Sequence, residues 1–129
     1  MKPTTIMIVD DSRTIRVQIR MALEPNNFKV IEAENGLDAV TKLRENNEIK
    51  MVFLDINMPV MNGLEALKAI MSEDSINPKP GIMMLTTEDS MVMVEEAKKN
   101  GAKGWIVKPY TSEKLISAAK VLSGQKNAP

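Results

Sequence analysis

Five short apolar runs, each followed by a stretch with helical periodicity, restrict the fold of this sequence more than any other feature. The runs cover residues 6–9, 30–31, 51–54, 82–85 and 105–107. Three of them are apolar on both faces, as expected for central strands of a parallel sheet that helices cover on both sides. The second run is flanked by Lys29 and Glu32, which predicts a position at the edge of the sheet. Five β-α units in series predict an α/β fold with a doubly wound parallel sheet and right-handed crossovers.

The stretches between the runs carry apolar stripes at helical spacing. The stripes are Ile15, Ile19 and Ala22; Leu37, Val40 and Leu43; Leu64, Leu67 and Met71; and Leu115, Ala119 and Leu122. The stretch 90–100 is polar and has a thin apolar face, so we expect it to be the most loosely held helix. Helix ends are predicted at Asn100-Gly101 and Gly124, and turns at Asn35-Gly36 and Asn62-Gly63.

Length and composition exclude several classes of protein. The 129 residues suit one domain, 1–129, with residues 124–129 as a flexible tail. The 17 acidic and 17 basic residues balance, so no global charge points to nucleic acid or to an anionic membrane surface. The lack of cysteine and histidine excludes disulfides, thiol nucleophiles, Ser-His-Asp catalysis and most zinc sites. Since we find neither a signal peptide nor a run of transmembrane length, we expect a cytoplasmic protein, monomeric by default.

Polar residues follow four of the apolar runs. They are Asp10 and Asp11 after the first run, Asp55 after the third, Thr86 and Thr87 after the fourth, and Lys108 after the fifth, where Pro109 follows it. Sites in doubly wound sheets form outside the carboxyl ends of the strands, so we expect these side chains to converge on one rim. Each residue alone has a structural explanation, such as a helix cap for the Asp pair or a turn for Thr86. Their joint occurrence at four strand ends favours a functional site.

Repulsion between the carboxylates limits the kinds of site that this rim can form. Two carboxylates about 4 Å apart repel each other by roughly 4 kcal/mol at an effective dielectric of about 20. Three in one cleft therefore need a cation or a proton, and Lys108 supplies only one positive charge. A hard divalent ion with oxygen ligands is the complement, and Mg²⁺ suits a site with few carboxylates. A carboxylate beside Mg²⁺, a hydroxyl and a lysine suits phosphoryl transfer. Because Asp10 and Asp11 are adjacent and fit metal ligands, the predicted acceptor is Asp55.

Together these residues resemble the receiver domain of two-component response regulators, above all its stand-alone, CheY-like chemotaxis type. The resemblance extends over nearly the whole chain. Stretch 8–12 matches the family's acidic pair, and stretch 55–59 with 61–63 matches its phosphoacceptor loop. Thr86 matches the switch hydroxyl, and Lys108-Pro109 the family's lysine with its following proline, usually in cis. The resemblance implies a flavodoxin-like strand order 2-1-3-4-5 with five helices, for which CheY-like proteins are a standard example.

The resemblance also implies how the site would work. Asp55 would accept a phosphoryl group from a phosphohistidine on a histidine kinase. Asp10 and Asp11 would hold Mg²⁺ together with Asp55 and the backbone carbonyl of Asn57. Lys108 would contact the phosphoryl group. The protein would then be a phosphoacceptor with Mg²⁺-assisted self-phosphorylation and autodephosphorylation, not an enzyme in the usual sense.

Four positions would transmit or tune the signal in similar proteins. Thr86 would move toward the phosphoryl group, and Trp105 occupies the place of the family's aromatic switch residue, where Tyr or Phe is commoner. Two alternatives stay open for this indole, a surface binding residue and a partly buried strand aromatic. Asn57 and Glu88 lie near the path of hydrolysis and would shorten the lifetime of the phosphoryl group.

The implied output is protein–protein contact. Helix 90–100, strand 104–107 and helix 112–123 would form the face that binds the downstream target, with a phosphatase as a further candidate partner. Chemotaxis is the favoured pathway, and a phosphorelay intermediate or another single-domain regulator are the alternatives. The sequence names neither the kinase nor the target.

Three other classes of protein fit the sequence less well. A hydrolase of the haloacid dehalogenase type needs a second Asp two residues after the nucleophile, where this chain has Asn57. A flavin or nucleotide module needs a Gly-rich or hydroxyl-rich loop after the first strand, which is absent here. The third is a receiver-like binding module without phosphorylation, and the complete acidic set argues against it.

Overall fold

Five parallel strands form one sheet in the computed structural model, which describes residues 2–58 and 61–124. The strands are β1 Thr4–Val9, β2 Phe28–Ala33, β3 Ile49–Asp55, β4 Gly81–Thr86 and β5 Gly104–Val107. They lie in the order β2-β1-β3-β4-β5, and every neighbouring pair is parallel. The predicted strand order and the edge position of the second run are therefore confirmed. Pro59 of the predicted phosphoacceptor loop and residues 125–129 of the predicted tail lie outside the described residues.

Helices cover both faces of the sheet. They are α1 Arg13–Leu23, α2 Gly36–Glu45, α3 Gly63–Ser72, α4 Val94–Lys99 and α5 Ser112–Ser123, with short 3₁₀ segments at Glu24–Asn26 and Glu88–Met93. Helices α1 and α5 pack on one face, and α2, α3 and α4 pack on the other. Successive strand side chains point to opposite faces, which explains why stretches 6–9 of β1 and 51–54 of β3 are apolar throughout. Within the described residues, no helix combines the length and the apolar character needed to span a membrane.

The prediction that Leu37 belongs to the buried face of α2 is wrong. Its side chain is 56% exposed, whereas Ala39, Val40 and Leu43 of the same helix are buried. Each residue turns an α-helix by about 100°, so Leu37 lies about 60° beyond Val40, on the side away from Ala39 and Leu43. The helix therefore uses Ala39 rather than Leu37 to complete its buried face.

Both Asn-Gly pairs begin helices rather than isolated turns. The side chain of Asn35 accepts a hydrogen bond from the backbone N–H of Asp38 (2.8 Å) and caps α2. Asn62 and Glu65 form a reciprocal capping box at the start of α3. Gly124 ends α5 in a left-handed conformation (φ 72°), as predicted.

The helix predicted over residues 90–100 is shorter than expected. The segment begins as the 3₁₀ turn Glu88–Met93 and becomes α-helical only at Val94. Val94 and Ala97 are its buried side chains, which confirms the thin apolar face. The loose attachment of this helix stays a prediction.

Gly63 lies where α3 begins against the end of β3. An added Cβ would lie 2.2 Å from the carbonyl oxygen of Asp55 and 2.6 Å from the Cα of Ile56. Both are backbone atoms, so they cannot give way without shifting the end of β3. We therefore expect Gly63→Ala to lower the free energy of unfolding by about 3 kcal/mol, measured by urea unfolding. Gly81→Ala is the control, because an added Cβ there meets its nearest atom at 3.5 Å. Equal losses in the two variants would contradict the steric explanation.

Candidate functional site

Four strand ends meet at one rim of the sheet. Asp10 directly follows β1, Asp55 is the last residue of β3, Thr86 is the last of β4, and Lys108 follows β5. The strands are parallel, so their carboxyl ends lie on the same side of the molecule. Asp10, Asp55 and Thr86 are buried, and Lys108 is partly exposed. The structure thus brings together the strand ends that the sequence predicted to converge.

Asp10, Asp11 and Asp55 form a carboxylate cluster. One oxygen atom from each side chain lies within 4.8 Å of the other two. Asp10 and Asp55 are buried and Asp11 is exposed, so the cluster is open to solvent on one side. Oδ2 of Asp10 is buried and has no hydrogen-bond partner among the residues that the structure describes. A buried carboxylate oxygen that accepts no hydrogen bond, among three acidic side chains, fits a hard divalent cation such as Mg²⁺.

Ser12 takes the helix-capping role that an Asp pair often has. Its side-chain oxygen accepts a hydrogen bond from the backbone N–H of Ile15 (3.3 Å) at the start of α1. The backbone N–H of Ser12 donates in turn to Oδ1 of Asp10 (2.8 Å). Asp10 is therefore held in place by the helix start, and the helix does not need its carboxylate as the cap.

Lys108 places its ammonium group against the cluster. Its Nζ lies 3.2 Å from Oδ1 of Asp55 and 3.9 Å from Oδ2 of Asp10. The backbone N–H of Lys108 donates to the carbonyl of Thr86 (2.7 Å), which fixes the chain where it leaves β5. The Lys108–Pro109 peptide bond is cis. One ammonium faces three carboxylates, so the cluster keeps a net negative charge when all three are ionised.

Burial changes the titration of the acidic groups. The pKa of Asp10 is raised to about 6, chiefly by desolvation, with the Ser12 N–H acting to lower it and the charge of Asp55 adding to the rise. Burial also raises the pKa of Asp55, while Lys108 lowers it. Burial raises the pKa of Tyr110 to about 12, and the nearby carboxylates add to this shift. The metal-free cluster therefore binds a proton more tightly than ordinary carboxylates do, and a divalent cation would compete with that proton.

Asn57 links the loop after β3 to the 3₁₀ segment after β4. Its backbone N–H donates to Oδ1 of Asp55 (3.3 Å). Its side-chain amide donates to Oγ of Ser90 (3.0 Å), and Ser90 donates back to Oδ1 of Asn57 (3.3 Å). The hydroxyl of Thr87 also donates to Ser90 (3.3 Å). The sequence gives no signal for Ser90, because 33 residues separate it from Asn57 and a lone serine forms no pattern. The predicted role of the Asn57 carbonyl as a metal ligand stays a prediction.

The predicted switch residues have different environments. The hydroxyl of Thr86 donates to the carbonyl of Thr87 (3.0 Å), within its own loop. Trp105 is 36% exposed, and the ammonium of Lys98 lies 4.2 Å from the centre of its ring. The ammonium and the partly exposed indole thus form a cation–π contact. Glu88 is exposed at the first residue of the 3₁₀ segment. The roles of Thr86, Trp105 and Glu88 stay predictions.

Comparison with known proteins agrees with this arrangement. The family model described as "Response regulator receiver domain" matches residues 6–120. The chain therefore belongs to the response regulator receiver domain family, whose members are signalling switches of two-component systems rather than enzymes in the usual sense.

The similar proteins include several with chemotaxis names. The "Chemotaxis protein CheY" of Listeria monocytogenes is 41% identical over 116 residues, which cover 88% of this chain and 92% of that protein. The "Chemotaxis protein CheY1" of Helicobacter pylori is 38% identical over 120 residues, covering 92% and 96%. The structure of Vibrio cholerae chemotaxis protein CheY4 matches with a TM-score of 0.84 and 33% identity, covering 93% of this chain and 98% of that one. These likenesses confirm the family and the fold that the sequence predicted.

Proposed function

We propose that this chain is a phosphorylation-dependent switch in which Asp55 accepts a phosphoryl group from a histidine kinase. The observation that carries the proposal is the cluster of Asp10, Asp11 and Asp55 within 4.8 Å, with the ammonium of Lys108 beside it. Membership of the receiver family supports it. In this proposal residues 1–129 act as a single receiver domain, cytoplasmic and monomeric.

The donor set suits Mg²⁺. Asp10, Asp11 and Asp55 would hold the ion, with the backbone carbonyl of Asn57 as a further ligand. When bound, the ion would neutralise both the carboxylates and the phosphoryl oxygens. Oδ2 of Asp10 supports this assignment, since it is buried, accepts no hydrogen bond within the described residues and has only the distant ammonium of Lys108 (3.9 Å) beside it.

Phosphoryl transfer requires a nucleophile that is already oriented. An oxygen of the Asp55 carboxylate forms the bond to phosphorus as the P–N bond of the phosphohistidine breaks. The imidazole nitrogen leaves with the bonding electrons and takes up a proton from solvent. The N–H of Asn57 (3.3 Å) and the ammonium of Lys108 (3.2 Å) both bind Oδ1 and fix the carboxylate. Lys108 is also placed to contact the new phosphoryl oxygens.

Switching would begin at the loop after β4. A phosphoryl group brings about 1.5 to 2 negative charges, which would draw Thr86 and Lys108 inward. Thr86 would then exchange its bond to the Thr87 carbonyl for one to the phosphoryl group. Because Ser90 ties this loop to Asn57, the movement would reach the output face of α4, β5 and α5. The target protein, and a phosphatase, would bind there.

The alternatives have less support. For the hydrolase alternative, position 57 carries a carboxamide bound to Ser90 where a carboxylic acid is required. The chemotaxis names of the relatives support chemotaxis as the pathway. Nothing in the structure favours a phosphorelay intermediate.

Intact mass after incubation with a small acyl phosphate tests the proposal. We expect one phosphoryl adduct per chain in the presence of Mg²⁺, because the cation offsets the repulsion between phosphate and the carboxylates. We expect none in EDTA, and recovery of the adduct when excess Mg²⁺ is restored. The proposal fails if the protein gains no adduct with Mg²⁺, or if it gains the same adduct in EDTA.

A further inference from the structure

We infer that Arg16 is a positioning residue for the divalent cation and acts through the backbone of Asp10. The inference rests on the proposed function, since it concerns the same site. The guanidinium of Arg16 donates through Nη1 to the carbonyl oxygen of Asp10 (2.8 Å) and through Nε to Oε1 of Glu32 (2.8 Å). Its side chain is only 13% exposed. One planar group thus joins α1, the end of β1 and the edge strand β2.

Three hydrogen bonds together fix Asp10. Its backbone N–H donates to the carbonyl of Ala33 (3.2 Å), its own carbonyl accepts from Arg16, and its Oδ1 accepts from the N–H of Ser12. The remaining oxygen, Oδ2, lies buried in the carboxylate cluster and accepts no hydrogen bond from any described residue. The bonds to Ala33 and Ser12 use backbone groups of those residues. Arg16 is therefore the contact among these three that depends on a partner's side chain.

Arginine suits this position because of its fork geometry. The guanidinium presents several N–H groups in one plane, so it binds two acceptors at once in fixed directions. A lysine at position 16 would keep the charge, but a single ammonium on a flexible chain does not reproduce both bonds of Arg16. Loss of the bond to the Asp10 carbonyl would let the peptide and its carboxylate move relative to the other two acidic side chains.

Arg20 provides a matched comparison within the same ion network. Its Nη2 binds the other oxygen of Glu32 (2.7 Å) and donates to the carbonyl of Val30 (3.5 Å). Within the described residues it makes no hydrogen bond to Asp10. Substitutions at Arg16 and Arg20 therefore both weaken the pairing of Glu32, and only the former also releases Asp10.

Loss of the Arg16 charge and loss of its hydrogen bond to Asp10 should change the affinity for Mg²⁺ in opposite directions. Removal of a positive charge near three carboxylates should, by Coulomb attraction alone, strengthen the binding of a cation. A loss of Mg²⁺ affinity in Arg16→Gln would therefore oppose the charge effect. Arg16→Lys keeps the charge, so its change in affinity reports the lost geometry alone.

Calorimetric titration with Mg²⁺, together with the thermal midpoint of the metal-free protein, tests the inference. The proteins are the wild type, Arg16→Lys, Arg16→Gln, Arg20→Lys and Arg20→Gln. We expect both Arg16 variants to bind Mg²⁺ about tenfold more weakly than the wild type, as for other residues that orient a metal ligand. We expect the Arg20 variants to keep the wild-type dissociation constant, even where the thermal midpoint falls.

Two outcomes would overturn the inference while leaving the proposed function intact. In one, the wild type binds Mg²⁺ and the Arg16 variants bind it equally well. In the other, Arg16 and Arg20 variants lose affinity alike, in step with their thermal midpoints, which would mark a general loss of stability. If the wild type itself binds no Mg²⁺, the inference and the proposed function fail together. If Arg16→Gln does not fold, Arg16→Lys decides, because it can keep the ion pair with Glu32.

Discussion

Asp55→Asn should abolish the Mg²⁺-dependent phosphoryl adduct. The carboxamide has almost the same shape as the carboxylate, so it fits the buried end of β3, but it lacks the anionic oxygen that attacks phosphorus. Its oxygen can still accept from the N–H of Asn57 and from Lys108, as Oδ1 of Asp55 does. We therefore expect a native fold and a rate of phosphorylation at least about 10³-fold lower, as when other nucleophiles are removed. Intact mass over a time course with acyl phosphate and Mg²⁺ measures this rate.

The control for this variant is Asp74→Asn. Asp74 is exposed in the loop after α3 and is not part of the carboxylate cluster, so its variant should be phosphorylated like the wild type. Circular dichroism of both variants checks the fold. Retention of the adduct in Asp55→Asn would show that another residue is the acceptor, and peptide mapping would identify it.

Asp10→Asn should stabilise the metal-free protein near neutral pH and greatly weaken its binding of Mg²⁺. Burial raises the pKa of Asp10 from the model-compound value 3.8 to about 6. Each pKa unit corresponds to about 1.4 kcal/mol, so ionised Asp10 costs the metal-free fold on the order of 3 kcal/mol. The amide is neutral and its oxygen can keep the bond from the Ser12 N–H. Urea unfolding in EDTA measures the gain, and calorimetry measures the loss of Mg²⁺ binding.

The pH dependence of stability distinguishes the cost of ionising Asp10 from the contributions of other acidic groups. Asp10 holds its proton more tightly in the folded state, so the free energy of unfolding in EDTA should fall as the pH rises from about 4 to about 6, and then level off. Asp55 adds a slope of the same sign, because its pKa is also raised. Glu48 and Glu73 have lowered pKa values and add the opposite slope in both proteins. The difference between wild type and Asp10→Asn therefore cancels Glu48 and Glu73 and reports Asp10 together with its coupling to Asp55, and identical pH profiles would contradict the raised pKa of Asp10.

The fold could be predicted from the sequence because its signals are local. Each buried strand is an apolar run, and every helix except α4 carries an apolar stripe and a side-chain N-cap. The convergence of these charged side chains could also be predicted, since Asp10, Asp55 and Lys108 occupy strand ends that the topology alone brings to one rim. No knowledge of side-chain conformation was needed for this step.

Contacts that depend on side-chain direction could not be predicted. Lys29 and Glu32 correctly indicate an edge strand, but the carboxylate of Glu32 binds two arginines of α1 instead of facing bulk solvent. The link between Asn57 and Ser90 joins two loops that are far apart in the chain. The exposure of Leu37 depends on which face of α2 meets the sheet, and a stripe of three residues left that choice open.

The exposed position of Asp11 bears on how fast a cation can come and go. Asp10 and Asp55 are buried and Asp11 is at the surface, so a hydrated ion arriving at the proposed site would meet Asp11 first. It would then exchange waters for carboxylate oxygens from the exposed side of the cluster. Mg²⁺ gives up its water reluctantly, so the exchange of that water should be the slow event in loading the site. Readiness for phosphorylation would then follow the free Mg²⁺ in the surroundings without a delay for refolding.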